Sequence, residues 1–389
     1  MASDVTLITQ AGHLEDMVTR LSEEPILAVD TESNSLHAYR ERVCLIQFST
    51  TKADYLVDPL ALDDLSALGR LFGESRIEKV FHAAEYDLLC LYRDFGLAVC
   101  NLFDTMIAAR ILGRSEIGLG AMLEAELGVK LDKRFQRANW GLRPLPDDLI
   151  DYARLDTHYL IALRDRLESE LAERGLLKLA EEDFGLAARK STNNHTAGRR
   201  NGLSGEDGER GVDCWRISGA YDLPPQQAAV LMELCRYRDE IARKLDRPLF
   251  KVFNDQTLLS IASELPGNLD QLGKLPGMSL NQVRRHGRKL LRALQRGMQA
   301  QPVFPTRQRR PDEGFTERLE ALRTWRKNLA AEIGVASDVI LPRELMIGLA
   351  EKGPQDADSL KEALEAAPWR LEHFGDQILE VLRSLQEQG

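Results

Sequence analysis

The run ILAVDTES at residues 26–33 constrains the fold more than any other stretch of this 389-residue chain. Its aliphatic opening reads as a strand, and the two-residue period of a strand sets Ile26, Ala28, Asp30 and Glu32 on one face. The apolar face of an apparently central strand therefore ends in two carboxylates. Burying an acid is costly unless it is paired, hydrogen-bonded or bound to a metal. Either Asp30 and Glu32 cap a turn at the strand end, or the sheet ends in a site that requires negative charge.

Four further β-rich runs, VCLIQFST, DYLVD, KVFHA and NLFDT, follow before residue 110, and a helix-like DLLCLYRDFG follows KVFHA. Five short strands interleaved with helices predict a mixed sheet with helical cover. From residue 116 to about 186 the periodicity is helical, and Asp147 and Asp148 after Pro146 open a helix expected to run to about Gly175. Residues 187–213 are rich in Gly, Asn, Ser and charge with little to bury, and read as a linker or mobile loop. Beyond them the run from Leu231 resembles the run from Leu319, with Tyr237–Arg238 opposite Trp325–Arg326 at an offset of 88 residues. Two copies of one small helical domain follow from this repeat. The expected organisation is an α/β domain at 1–186, a linker at 187–213, all-α domains at 214–300 and 314–389, and a linker at 301–313.

Helical phase singles out two more acids. After Pro146, Tyr152 and Asp156 lie one turn apart within the stripe carrying Leu149, Ala153, Leu160 and Leu163, whereas Asp151 and His158 point away and read as solvated. In KVFHAAEYDLLCLYRDFG, Asp87 falls near Ala83, Cys90 and Leu91, with Glu85 on the opposite side. Asp104 in NLFDT sits at a strand-to-helix junction and reads as an N-cap. A buried acid held by an arginine or a helix N-terminus is the plain alternative for Asp156. Four acids gathered at one end of a sheet would repel unless a multivalent cation neutralised them. All-oxygen ligands without a His or Cys cluster favour Mg²⁺ or Mn²⁺ over zinc. Two such ions about 3.5–4 Å apart stabilise the attacking and leaving oxygens of a displacement at phosphorus, which is phosphodiester hydrolysis.

Three motifs in order, VDTE with Asp30 and Glu32, FHAAEYDL with Asp87, and YARLD with Tyr152 and Asp156, resemble the DEDD exonuclease superfamily over about residues 5 to 180, specifically its ribonuclease D group. LDKRFQRANWGLRPL resembles the group's loop before the last helix, with Asn139 where an Asp is expected. The C-terminal repeats are similar to HRDC domains. The resemblance implies a ribonuclease H-like fold and 3′→5′ hydrolysis of RNA to nucleoside 5′-monophosphates. By the same resemblance Asp30, Glu32, Asp87 and Asp156 hold two ions and Tyr152 positions the attacking water. Tyrosine four residues before Asp156 marks the tyrosine subtype. The rival HxxxxD of His82 and Asp87 leaves the second motif without an acid.

A net charge of −10, from 51 basic and 61 acidic residues, argues against a surface that binds nucleic acid everywhere. Residues 271–311 invert that balance with ten basic residues and no acid. Arg284, Arg285, Arg288 and Lys289 in the last helix of the first repeat are candidate RNA contacts, and Arg307 to Arg310 read equally as a solvated tether. Arg40, Lys133, Gln136 and Arg143 are candidates near the site, with Arg42, Arg134 and Arg137 beside them. Tyr237, Trp325 and Trp369, at helical spacing with Leu, read as core.

Five cysteines without a CxxC indicate neither a disulfide framework nor a zinc ribbon and suit a reducing compartment. With no apolar run near 18 residues and no basic-then-apolar leader, the chain reads as cytoplasmic and without membrane contact. No GxxxxGK[ST] is present, which excludes a P-loop motor. The expected partner is RNA, with tRNA precursors or other structured RNAs as the substrate class, and the expected state is a monomer. A DNA exonuclease and a catalytically idle RNA-binding scaffold are the rival readings, the first because the metal chemistry is blind to the 2′-hydroxyl.

Overall fold

The structure, a computed structural model, describes residues 5–132, 134–200, 214–304 and 313–385, with the backbone alone at 191, 193–200 and 313. It divides into two compact units, residues 1–33 with 43–196 and 311–389, and residues 34–42 with 197–310.

The first unit is built on a six-stranded sheet of β1 (Val5–Ile8), β2 (Ile26–Ser33), β3 (Val43–Ser49), β4 (Asp54–Val57), β5 (Glu78–Phe81) and β6 (Leu102–Asp104), in the order β1-β4-β3-β2-β5-β6. β3 runs antiparallel to β2 and β4, while β1–β4, β2–β5 and β5–β6 are parallel, so the sheet is mixed as its sequence predicts. β1 was not among the expected strands: it is a short edge strand with only Ile8 buried, and such a segment carries little alternation to read. The helices of this part are α1 (Ala11–Leu21), α2 (Gly69–Phe72), α3 (Glu85–Phe95), α4 (Thr105–Ile111), α5 (Leu119–Leu127), α6 (Asp147–His158), α7 (Leu160–Glu173) and α8 (Leu177–Arg200).

One expected helix after Pro146 is two. The backbone breaks at Tyr159 (φ −101°, ψ −3°), which lets α6 lay Leu149, Tyr152 and Ala153 on one face of the sheet while α7 buries Leu160, Leu163, Leu167 and Leu171 in the main core. The chain turns out of the helical path at Gly175, whose φ of +69° suits a residue without Cβ. Residues 187–200 of the expected linker continue α8, since helix elongation is cooperative and no proline interrupts the run. Residues 201–213 lie outside the described residues.

The second unit holds α9 (Pro225–Leu245), α10 (Leu249–Val252), α11 (Asp255–Glu264), α12 (Leu269–Gly273) and α13 (Leu280–Gln299), and the first unit closes with α14 (Glu313–Ile333), α15 (Ser337–Ile340), α16 (Arg343–Lys352), α17 (Ala357–Ala363) and α18 (Pro368–Ser384). The 88-residue offset survives in the bonding. Arg238 donates to the Phe253 carbonyl at 3.2 Å and Arg326 to the Leu341 carbonyl at 2.8 Å, and Asn268 and Asp356 cap α12 and α17 in the same way. The second repeat is joined to α8 by a buried cation: Arg370, fully buried, bonds Glu182 at 2.6 Å and Asp183 at 2.8 Å. Within the second unit, residues 34–42 pack on α9, where the Tyr39 hydroxyl donates to Asp239 at 2.6 Å and its N–H to Asp246 at 3.0 Å.

Candidate active site

The face of β2 that carries Ala28, Asp30 and Glu32 is covered by α6, and the two elements bring three acids from different parts of the chain together. One carboxylate oxygen from each of Asp30, Glu32 and Asp156 lies within 4.8 Å of the others. All three acids are half-buried, so each charge is incompletely solvated as well as repelled. Burial, then the charges of Asp87, Asp156 and Glu32, raises the Asp30 carboxyl well above the usual range. Burial, then Asp156 and Asp87, does the same to Glu32, and burial lifts Asp156 to about 7. Three acids held in this state are a site for positive charge.

Asp87 stands outside that triple. Its carboxylate accepts a hydrogen bond from the Thr31 hydroxyl, on the residue between the two β2 acids, and burial raises it to about 7 against the opposing pull of that bond. It lies in the first turn of α3, where the helix dipole favours an anion. The turn that launches α3 is set by Asp104, which accepts from the N–H groups of Ala83 (3.1 Å), Ala84 (2.7 Å), Met106 (2.8 Å) and Ile107 (3.2 Å). Asp104 is thus the N-cap that its place in NLFDT predicts, and it also holds Ala83 in a left-handed conformation (φ 62°) that a non-glycine residue adopts only under constraint. His82 turns to Thr105 Oγ1 at 2.9 Å, away from any ligand role.

Tyr152 is buried beside the triple, one turn before Asp156. Its phenol is raised above its ordinary value first by burial, then by Asp156, Glu32 and Asp30. The ring packs edge-on to Phe135 at 5.8 Å and against Trp140 at 6.1 Å. These two aromatics come from the 131–145 loop and had no periodic signal to mark them. His158, expected in solvent, instead faces the buried Asp54 at 2.9 Å and fastens the end of α6 to β4.

The candidate RNA contacts divide. Arg143 is corrected: its guanidinium grips Asp58 at 2.6 and 2.7 Å and the carbonyls of Trp140, Leu142 and Cys44, so its donors are committed within the fold. Lys133 lies outside the described residues, as do Arg307 to Arg310. Gln136 is exposed on the 131–145 loop, and Arg40 is exposed on the 34–42 segment. On α13, Arg284, Arg285, Arg288, Lys289 and Arg292 are all exposed, and none has an ion pair among the described residues, whereas Arg296 pairs with Glu233 at 2.8 Å. Tyr237 is core, with its hydroxyl on His286 at 2.8 Å. Trp325 and Trp369 are half-buried, Trp325 bonded to Gln377 and Trp369 stacked on His373. The two repeats differ in charge: residues 227–294 hold twelve basic and seven acidic residues, and 315–382 hold eight and thirteen.

The donor set fits a divalent cation. Its ligands are hard carboxylate oxygens from two elements, convergent and half-buried, with no arginine or lysine bonded to Asp30, Glu32 or Asp156 among the described residues.

Comparison with known proteins agrees in extent. Residues 5–172 match the 3′-5′ exonuclease family, and residues 227–294 and 315–382 match the HRDC domain. Ribonuclease D of Pseudomonas paraeruginosa is 28% identical over 388 residues, which is 98% of this chain and 99% of that protein. Protein RRP6-like 1 of Arabidopsis thaliana is 31% identical over 77% of this chain and 47% of its own length, and this chain spans less than half of the RRP6-type relatives it matches. Among solved structures, Escherichia coli RNase D, described as an exoribonuclease involved in structured RNA processing, is similar at a TM-score of 0.69 and 26% identity, covering 98% of this chain and 99% of that one. The catalytic core of RRP6 from Trypanosoma brucei is similar at a TM-score of 0.60 and 29% identity, covering 77% and 80%. No helix among the described residues is long and apolar enough to cross a membrane.

Proposed function

Because this chain belongs to the 3′-5′ exonuclease family through residues 5–172 and carries HRDC domains at 227–294 and 315–382, we propose that it is a metal-dependent 3′→5′ exoribonuclease releasing nucleoside 5′-monophosphates. The observation that carries the reading is the meeting of Asp30, Glu32 and Asp156 within 4.8 Å beside a buried phenol. Those three acids, with Asp87 across β2, would hold two Mg²⁺ or Mn²⁺ ions. When bound, such ions supply an activated water and stabilise the leaving 3′ oxygen. Thr31 fixes the Asp87 carboxylate, and Phe135 and Trp140 hold the Tyr152 ring. The raised phenol stays protonated at neutral pH, so Tyr152 orients the attacking water through its hydroxyl and does not remove a proton from it.

The substrate class we assign is structured RNA with a free 3′ end, such as tRNA precursors, supported by the exposed basic stripe on α13. Residues Arg284, Arg285, Arg288 and Lys289 contact phosphates there, with Arg40, Lys133 and Gln136 as further contacts. The organisation is a catalytic domain at 1–186 followed by HRDC domains at 214–300 and 314–389, acting as a cytoplasmic monomer.

The test is hydrolysis of matched single-stranded RNA and DNA oligonucleotides, labelled along the chain, with Mg²⁺, Mn²⁺ or EDTA. The reading requires stepwise 5′-monophosphate release from RNA with either ion, none with EDTA, and none from Asp30→Asn. Preference for the DNA strand would make the chain a deoxyribonuclease, and binding without release under any ion would leave a scaffold.

A further inference from the structure

Gln47 is fully buried at the centre of β3, and neither its amide nitrogen nor its carbonyl oxygen meets a hydrogen-bond partner among the described residues. Buried side-chain amides are nearly always paired, because leaving both ends unmade costs the fold without compensation. Gln47 is also the residue directly opposite Asp30 across the β2–β3 ladder, and directly opposite Leu56 across β3–β4. In an antiparallel pair, opposite residues project to the same face with Cβ atoms about 4.5–5.5 Å apart. That face is the one α6 covers. On either side of Gln47 along β3, Leu45 packs in the cluster of Tyr152 and Ala153, and the Ser49 hydroxyl shares a hydrogen bond of 2.7 Å with Thr157. Gln47 therefore faces the turn of α6 that runs from Ala153 to Thr157, the turn that carries Asp156.

An unpaired amide at this spot is a poor choice for stability alone, since an apolar side chain of equal length would fill the same volume beside Leu45 and Leu56. The Asp30 carboxylate on the facing position does not bond the amide, and an ion bound among the acids would supply what is missing by drawing that carboxylate into reach of the N–H₂ and placing water near the carbonyl.

We infer that Gln47 is a positioning residue of the active site, its carboxamide donating to the Asp30 carboxylate in the ion-bound state and orienting it for a divalent ion. It acts through Asp30 and touches neither substrate nor reacting atoms. The inference rests on the proposed metal-dependent reading of the site and adds a group that none of the three acidic motifs contains.

The test is Gln47→Met, which keeps length and volume and removes the amide, with Gln47→Leu read in parallel. Two measurements are made on the full chain: melting temperature in EDTA, and Mn²⁺ affinity by calorimetry. Groups that orient metal ligands typically change metal affinity about 10- to 100-fold when removed, and that loss is expected for both variants. The melting temperature of the metal-free Met variant is expected to rise by about 2–6 °C, because a buried amide without partners is replaced by a side chain that needs none. With RNA, kcat should fall and KM stay within about twofold. Wild-type Mn²⁺ affinity, or a falling melting temperature in both variants, overturns the inference and makes Gln47 a structural residue. Should wild-type protein itself bind no Mn²⁺, the metal-dependent reading fails, and the variants separate that outcome from a failure of Gln47 alone.

Discussion

Replacing Asp156 by Asn should make the metal-free protein more stable at alkaline pH while ending its activity. Burial holds the Asp156 carboxyl at about 7, against an ordinary value of 3.8. At about 1.4 kcal/mol per pH unit, ionising it in the fold costs about 4 kcal/mol more than ionising it in the unfolded chain. An independent gauge gives the same order: a like charge at 4.8 Å, the outer limit of the separations among the Asp30, Glu32 and Asp156 oxygens, is worth about 3.5 kcal/mol at an effective dielectric near 20. The new amide gives back about 1–2 kcal/mol by being imperfectly paired. A net gain of about 2–3 kcal/mol remains, or roughly 5–10 °C in melting temperature for a unit of this size. The sign follows from the raised value. The stability of a protonated acid is fully present below its unfolded value and is lost as pH rises through 7, so wild type weakens from pH 4 to pH 8 and the variant is spared that share of the loss. The assay is thermal denaturation in EDTA at pH 5 and pH 8.5, with a repeat at pH 8.5 in Mn²⁺. The variant should melt higher at pH 8.5, the difference should shrink towards zero at pH 5, and Mn²⁺ should stabilise wild type alone. A variant that melts lower at pH 8.5 and retains Mn²⁺ stabilisation would refute the argument that repulsion and burial load this site for a cation.

Metal affinity should itself depend on pH. Burial and mutual repulsion raise Asp30 and Glu32 well above the carboxylate range, and Asp87 and Asp156 lie near 7, so ion binding expels protons: Mn²⁺ affinity measured by calorimetry should climb as pH rises through 7, and equal affinities at pH 6 and 8 would contradict this. Tyr152→Phe should lower kcat about 10- to 100-fold through lost orientation while leaving the pH profile in place, because the phenol does not titrate in the working range; a shifted alkaline limb would assign it a proton-transfer role. Arg284→Gln with Arg288→Gln should weaken single-stranded RNA binding and flatten the slope of log affinity against log salt by about 1.4, or about 0.7 per lost phosphate contact; an unchanged slope would mean that α13 is a solvated face.

The sheet, the two helical repeats and four of the five catalytic candidates were legible because each rests on a period. Asp30, Glu32, Tyr152 and Asp156 betray themselves as polar residues on stripes that should be apolar, and the structure gathers them. Asp87 was legible as an inward acid, but no periodicity could show that Thr31 would claim its carboxylate apart from the triple. Arg143 was misread because composition counts a charge without its partner: the cation near an acidic site proved to be committed to Asp58 and three carbonyls. The break at Tyr159, the clasp of His158 on Asp54, and the packing of Phe135 and Trp140 on Tyr152 are tertiary outcomes with no local signature. Gln47 escaped for the opposite reason, since a single amide inside VCLIQFST reads as an ordinary interruption until its opposite residue is known.

The acids of this chain are held to form one cation-binding cleft that hydrolyses phosphodiesters, and crystals soaked in Mn²⁺ and measured at the manganese absorption edge address that directly. Anomalous density is expected between Asp30, Glu32 and Asp156, with a second peak towards Asp87, and should vanish in Asp156→Asn. Manganese bound elsewhere, or a cleft that stays without density while soaked RNA occupies the protein, would contradict it.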